Sequence, residues 1–244
     1  MSDCSKQPPP TSSQRFRDAI ADVVASAGTG LVDLAATGTP SAGALTPALA
    51  LGIRISSDAL TRRRDRGARA LDAAAEQVGS LQRLEKLATA DDARLELTAR
   101  TLEAAMRTTL EAKVRALGRV LAAGLDGQAT VDQAQILSTA LADLEASHVQ
   151  VLDELRRRAD ANAEAEPAKG TELLSMSRDD VLERLPGHRD VLDSVMQVLE
   201  GQYLVVPVSL GMSFGSWGGP GRWAVTDLGR ACLNRLAEAA EPAE

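Results

Sequence analysis

Residues 95–125 read LELTARTLEAAMRTTLEAKVRALGRVLAAGL, and this stretch decides the class of the fold. Its apolar residues recur every three or four positions, which is the period of one face of an α-helix. Three Glu–Arg pairs on other faces are spaced i,i+4 with the acid first, the order that stabilises a helix. Asp91 and Asp92 before the stretch and Gly124 near its end predict one long helix over 91–125. Neighbouring helices or a second copy of the chain can bury this stripe, so a homo-oligomer remains an open alternative.

Helical periodicity extends on both sides of this stretch. An apolar stripe from Phe16 to Leu34 and a longer one over 47–79 predict two earlier helices. Thr130 and Gln133 have the spacing of a capping box for a later helix that runs to about Ala159, with a possible break near Ser147. We expect a disordered tail at 1–13, which contains three consecutive prolines, and then a helical domain over 14–130.

The composition narrows the class of protein further. Apolar residues make up 44% of the 244 residues, but only five residues are aromatic, which argues against an aromatic-rich β-sandwich or barrel. Two cysteines in a chain of this length exclude a disulfide scaffold. The two cysteines and the lack of a secretory signal pattern predict a cytoplasmic protein.

Charge is distributed unevenly along the chain. Residues 11–70 contain 8 basic against 5 acidic residues, whereas residues 71–244 contain 18 against 28. Residues 34–53 carry no charge at all and are directly followed by arginines. The sequence therefore predicts a region that contacts anionic surfaces and is peripheral to the inner membrane. Tight packing of small residues explains the same composition equally well. The candidate contact residues are Arg54, Arg62, Arg63, Arg64, Arg66 and Arg69.

The C-terminal part changes character after a polar connection at 160–171. Ser177 and Asp180 cap a short helix to Leu185, Pro186-Gly187 turns the chain, and a second helix spans 188–200. Strands over 203–210 and 222–226 flank a glycine-rich loop at 211–221, and Thr226 caps a final helix. This order resembles a winged helix-turn-helix. The predicted fold is therefore mainly α, a long-helix bundle followed at 131–244 by a helical connection and a winged-helix-like α+β module with one β-hairpin.

The predicted module has the wrong charge for DNA. Residues 177–201 contain three arginines against six acidic residues, and a surface of that sign repels phosphates. We expect a protein-contacting or a purely structural module instead. The candidate partner contacts are Phe214, Trp217 and Arg222, since exposed loop aromatics anchor interfaces. Burial of the two loop aromatics by a loop that folds back is an equally open alternative. For Tyr203 and Trp223, which fall on the predicted strands, we expect core packing.

Nothing in the sequence predicts an enzyme. Gly211-Met212-Ser213-Phe214-Gly215 matches G-x-S-x-G. The residues directly after it, Ser-Trp-Gly-Gly-Pro-Gly, cannot start a helix, and no histidine follows, so we interpret the match as a false positive. The sequence has no phosphate-binding glycine motif and no Cys/His set with metal spacing, so no catalytic, metal or cofactor residue is predicted. His148 falls on an apolar stripe and is expected to be a hydrogen-bonded core histidine, and His188 is expected to be exposed.

Two stretches resemble the bacterial Abi-alpha (abortive infection alpha) domains. They are EAKVRALGRVLAAGL at 111–125 and the segment 137–155 around Ser147-His148-Val149-Gln150-Val151-Leu152. The resemblance implies a bacterial intracellular protein without enzymatic activity, tied to phage defence, and it carries over no site residues. Two alternatives remain open: a transcription regulator that binds DNA through a basic helix at Arg54–Arg69, and a membrane-permeabilising effector.

Overall fold

The structure is a computed structural model, and it describes residues 47–127, 129–165, 175–208 and 221–240. These residues form nine α-helices and three short strands, which confirms the prediction of a mainly helical protein. In chain order the elements are α1 (Pro47–Val78), α2 (Leu81–Ala88), α3 (Asp92–Arg107), α4 (Glu111–Leu125), α5 (Val131–Asp143), α6 (Ala146–Ala165), β1 (Ser175–Ser177), α7 (Arg178–Arg184), a 3-10 turn (Pro186–His188), α8 (Leu192–Gly201), β2 (Val205–Pro207), β3 (Arg222–Val225) and α9 (Asp227–Ala240).

Several predictions fall outside the described residues. They are the tail at 1–13, the stripe from Phe16 to Leu34, the first part of the uncharged segment up to residue 46, and most of the glycine-rich loop with its G-x-S-x-G match.

The chain divides into two compact units. Unit 1 comprises the chain up to Thr109 together with Val114–Ser138, and unit 2 comprises Leu110–Lys113 and Thr139–Glu244.

Small residues form the buried face of α1 in unit 1. Gly67, Ala70, Ala74 and Val78 are buried at spacings of three and four, so this face of the helix is the one that packs. A Cβ added at Gly118 of α4 would lie 2.2 Å from the carbonyl oxygen of Ala70. The two backbones therefore approach each other at a distance that only glycine permits.

The prediction of a single helix over 91–125 is wrong, because the chain leaves the helical conformation between α3 and α4. Thr108, which follows α3, has φ −80° and ψ 151°, an extended conformation. Thr108 and Thr109 are both β-branched, which lowers helix propensity at this point. The apolar stripe keeps its period across the break, so periodicity alone gave no sign of it.

Helix α5 begins at its predicted capping box, whereas α6 begins at Ala146, one residue before Ser147. The backbone N–H of Gln133 donates to Thr130 Oγ1 at 3.1 Å, and Gln133 Oε1 accepts the Thr130 N–H at 3.2 Å, which confirms the capping box. The break expected near Ser147 lies at residues 144–145, between α5 and α6. Helix α6 continues to Ala165, so the polar connection does not begin at 160 as predicted.

Unit 2 contains a three-stranded antiparallel sheet with the order β1-β3-β2. The prediction of one β-hairpin is incomplete, because β1 pairs Ser175–Ser177 with the other side of β3. Three residues are too few to show a period of two, so sequence periodicity could not reveal this strand. Pro207 lies on β2 at an edge of the sheet, which is where a proline is tolerated.

Three helix starts in unit 2 are set by local sequence. The predicted capping box between Ser177 and Asp180 is present at the start of α7. Thr226 Oγ1 accepts the N–H of Gly229 at 3.0 Å, which caps α9 as predicted. Helix α8 begins at Leu192 rather than at residue 188, because the chain first forms the 3-10 turn at Pro186–His188.

Candidate interaction surfaces

The first candidate surface is the basic segment, which we define as the six arginines between Arg54 and Arg69 on α1. All side chains from Ser57 to Asp65 are exposed except that of Leu60, which is half-buried. Arg62, Arg63 and Arg64 are therefore open to solvent, and so is Arg69. The side chain of Arg54 lies outside the described part of the chain. Within the described residues, no helix is long and apolar enough to cross a bilayer.

Arg66 has a structural role within the basic segment. Its Nε and Nη2 donate to the carbonyl oxygen of Met106 at 3.2 and 2.7 Å, close to the C-terminal end of α3. Burial lowers the pKa of Arg66, and repulsion from Arg63 and other neighbouring arginines lowers it further. The guanidinium thus donates to one of the last carbonyls of α3, and most of its hydrogen-bonding capacity on that side is used within unit 1.

The second candidate surface is the outward face of α8 in unit 2. Leu192, Val195, Met196 and Leu199 are buried, and the opposite face exposes Asp193, Ser194 and Gln197. Helix α8 contains neither lysine nor arginine. This face is therefore polar and acidic.

Of the three arginines in the segment before α8, two are paired with acids, whereas Arg189 is exposed to solvent. Arg178 Nε donates to Asp193 Oδ1 at 3.1 Å, and this hydrogen bond raises the pKa of Arg178. Arg184 forms an ion pair with Glu154 at 3.0 Å. Exposed pairs of this kind contribute little stability, but they reduce the positive charge that this part of unit 2 offers to an anion.

Tyr203 contradicts the prediction that it packs in the core. Its side chain is 74% exposed, and the residue lies in a turn before β2 with φ +55°. Thr226 Oγ1 donates to the carbonyl oxygens of Tyr203 and Leu204 at 2.7 and 3.1 Å, which holds the turn in place. The apolar pattern of 203–206 favours a strand from residue 203, whereas the strand begins only at Val205. The turn therefore directs this aromatic ring outward.

Trp223 and Arg222 on β3 have partners inside unit 2. Trp223 is half-buried, and its Nε1 donates to the carboxylate of Glu200. The guanidinium of Arg222 donates to Ser175 Oγ at 3.0 Å and to the Ser175 carbonyl oxygen at 2.8 Å, which ties β3 to β1. Of the three predicted partner contacts, Arg222 is thus used within the sheet, and Phe214 and Trp217 lie outside the described residues.

A buried polar cluster is centred on Lys113, and it was not predicted from the sequence. The side chain is 1% exposed, and Nζ donates to the carbonyl oxygens of Ala142 and Leu144 at 2.7 and 2.6 Å. Glu145 lies 3.6 Å away, but burial still lowers the pKa of Lys113. One sequence signal existed: Lys113 is three residues after Leu110 and four before Leu117, so it falls on the buried side of α4. The ammonium joins the end of α5 to the start of α4.

His148 completes this cluster. Its Nδ1 accepts the backbone N–H of Glu145 at 3.0 Å, so the imidazole takes the place that Glu or Gln has in an ordinary capping box at the start of α6. Burial lowers the pKa of His148, and the charge of Glu145 opposes that change. The prediction that His148 is hydrogen-bonded is confirmed, although the ring is half-buried rather than fully in the core.

The described surfaces thus differ in the partners that they attract. The exposed arginines of the basic segment attract anions, whereas the outward face of α8, on which Asp193 is paired with Arg178, offers them no excess of positive charge. No protein-family model, curated protein or solved structure matches this chain.

Proposed function

We propose that this chain is a bacterial intracellular interaction protein without catalytic activity, and that unit 2 is a winged-helix-like module that binds a protein partner. Supporting this proposal, α6, α7 and α8 are followed by two strands and α9, and β1 completes a small antiparallel sheet. This order of elements resembles that of winged helices, in which the second helix of the helix-turn-helix, here α8, is the one that meets the partner.

The observation that carries the proposal is the charge of α8. A helix that reads DNA presents arginine, lysine, asparagine or glutamine to phosphates and base edges. The exposed residues of α8 include Asp193 and Gln197 but no cation. Approach to a duplex would bring phosphates against the Asp193–Arg178 pair, whose charges cancel, so a protein surface is the better match for this face.

Site-specific photo-crosslinking tests the proposal directly. We would replace Gln197 with benzoyl-phenylalanine in cells that produce the full chain, irradiate them, and analyse the adducts. Gln150 on α6 is the matched control, since it is also an exposed glutamine on a helix of unit 2. We expect a discrete protein adduct from position 197 and none from position 150. A nuclease-sensitive adduct at position 197, or no adduct there, would contradict the proposal.

The glycine-rich loop is the second part of the proposed interface. Phe214 and Trp217 are the aromatic residues of this loop, and aromatic side chains are enriched among the residues that dominate binding energy. We expect Trp217→Ala to weaken capture of the crosslinked partner at least tenfold while leaving the far-UV circular dichroism spectrum unchanged. Undiminished capture would remove the loop from the interface.

A role in phage defence forms the remaining part of the proposal, and it rests on the resemblance of 111–125 and 137–155 to Abi-alpha domains. Its test is the efficiency of plating of a panel of phages on bacteria with and without the chain. Equal plating efficiency across the panel would remove this role and leave the protein-interaction proposal standing.

A further inference from the structure

We propose that the basic segment of α1 binds an anionic lipid surface, with the uncharged start of the helix directed toward the membrane. The site lies in unit 1 and does not depend on the function proposed for unit 2. Its first support is charge: residues 54–69 contain six arginines against two aspartates in a chain whose net charge is −7, and an excess of three positive charges is left when Arg66, which binds the Met106 carbonyl, is not counted. Such a local excess attracts phosphate-bearing headgroups even though the whole protein is acidic.

The second support is the exposure of this part of α1. Arg62, Arg63 and Arg64 are consecutive, and successive residues of a helix point about 100° apart. Their exposed side chains therefore surround most of the helix circumference. A helix that lies flat on a membrane keeps its cations on one face, whereas cations around the circumference suit a helix that meets the headgroups end-on.

The third support is the start of the same helix. Residues 47–53, PALALGI, are helical and carry no charge, and Arg54 follows them immediately. At about 1.5 Å per residue, Ile53 precedes Arg62 by roughly 14 Å along the axis. This order places an apolar end ahead of the arginines, so that the end enters the acyl chains while the arginines stay among or just above the headgroups.

The uncharged start of α1 also decides between lipid and nucleic acid. The phosphates of a duplex attract the same arginines, but a duplex offers nothing to a helix end without charged residues. A lipid surface uses both features, because apolar burial and headgroup attraction add to each other. Substitutions in the two parts of α1 therefore have different effects on the two ligands.

Flotation of the full-length protein with vesicles tests the proposal. At low salt we expect the protein to float with vesicles that contain phosphatidylglycerol and to stay at the bottom with pure phosphatidylcholine vesicles. The triple variant Arg62→Gln, Arg63→Gln, Arg64→Gln removes three cations that each contribute about fivefold to partitioning, so we expect a decrease of roughly a hundredfold.

A second triple variant tests whether flotation depends on where the three arginines lie and not only on the net charge of the protein. Arg83, Arg100 and Arg107 are also exposed arginines of unit 1, and each is paired with an acid on the surface. Changing these three to glutamine alters the net charge by the same amount, and we expect it to leave flotation within twofold of wild type. A decrease as large as that of the first variant would overturn the proposal.

A third variant tests the apolar end of α1. We expect Leu51→Asn with Ile53→Asn to weaken flotation at least tenfold, because burying such a side chain contributes a tenfold factor or more. The same variant should leave the weak binding of a short random duplex unchanged in fluorescence anisotropy.

Three further results would overturn the proposal. They are no flotation with anionic vesicles, equal flotation with neutral vesicles, and tighter binding to the duplex than to vesicles. The last result would assign the basic segment to nucleic acid.

Discussion

Replacement of Gly229 by alanine tests the packing of unit 2 at its tightest contact. Gly229 lies in the first turn of α9, and a Cβ added there would lie 2.4 Å from the carbonyl oxygen of Leu204. The same Cβ would lie 3.0 Å from Val225 Cγ2 and 3.3 Å from Leu152 Cδ1. The Leu204 oxygen accepts hydrogen bonds from both N–H and Oγ1 of Thr226, at 3.0 and 3.1 Å, so it is not free to move.

The expected loss of stability follows from these distances. An ordinary contact between carbon and oxygen is about 3.3 Å or more, so the Leu204 carbonyl or α9 must move by about 0.9 Å. Overpacking of this kind costs about 1–3 kcal/mol. Weakening the two hydrogen bonds from Thr226 costs about 1 kcal/mol more. The higher helix propensity of alanine returns about 1 kcal/mol. We expect the free energy of unfolding of unit 2 to fall by about 2 kcal/mol.

Tryptophan fluorescence during urea unfolding measures this change, because Trp217 and Trp223 both belong to unit 2. Gly201→Ala is the matched control: Gly201 ends α8, and a Cβ there would have no atom within 4 Å. We expect the control to be as stable as wild type or more stable by up to about 1 kcal/mol, since it gains helix propensity without a clash. A Gly229→Ala protein as stable as wild type would refute the close approach of α9 to the turn before β2.

Three other substitutions probe the remaining features. Lys113→Met should lower the free energy of unfolding by about 2 kcal/mol in chemical denaturation, because two carbonyls lose their donor while the cost of burying an ammonium is relieved. His148→Gln keeps an acceptor for the cap, and it should abolish a loss of thermal stability that the wild type shows on acidification below about pH 6.5. Burial lowers the pKa of His148 in the folded protein, so the unfolded chain takes up the proton more readily. Acidification therefore stabilises the unfolded chain relative to the folded one. Tyr203→Gly should raise the free energy of unfolding by about 0.5–1 kcal/mol, because φ +55° favours glycine, and urea denaturation should show this as a higher midpoint. An unchanged midpoint would contradict strain at this turn.

Local signals in the sequence predicted several helix starts and ends of this fold, although they did not reveal α2 at Leu81–Ala88. The capping boxes at Thr130 and Ser177 and the cap at Thr226 depend on side-chain and backbone atoms only three residues apart, so the sequence contains all the information needed. Helix α1 over Pro47–Val78 ends within one residue of the predicted limit because Gly79, with φ +97°, interrupts the pattern.

Features that depend on distant residues were not predicted. The break after Arg107 does not interrupt the apolar period, and it is accompanied by Lys113 binding carbonyls 29 and 31 residues away. Arg66 donates to Met106, which is 40 residues away in sequence. The run of arginines therefore did not show that one of them has a structural role. Strand β1 is defined only by its pairing with β3. In each case the partner is fixed by the fold and is not close in sequence.

The edge position of Pro207 limits how this protein can associate with others. In the register of β2 with β3, Val206 pairs with Ala224, and Val208 donates to Arg222, so Val205 and Pro207 direct their backbone groups away from β3. Proline has no N–H, which leaves a single donor on the outer side of this three-residue strand. Such an edge is a poor template for the strand of another chain, which protects the β2 side of the sheet against edge-to-edge aggregation. The partner proposed for unit 2 would therefore be recognised on this side of the sheet through side chains and not by pairing with β2.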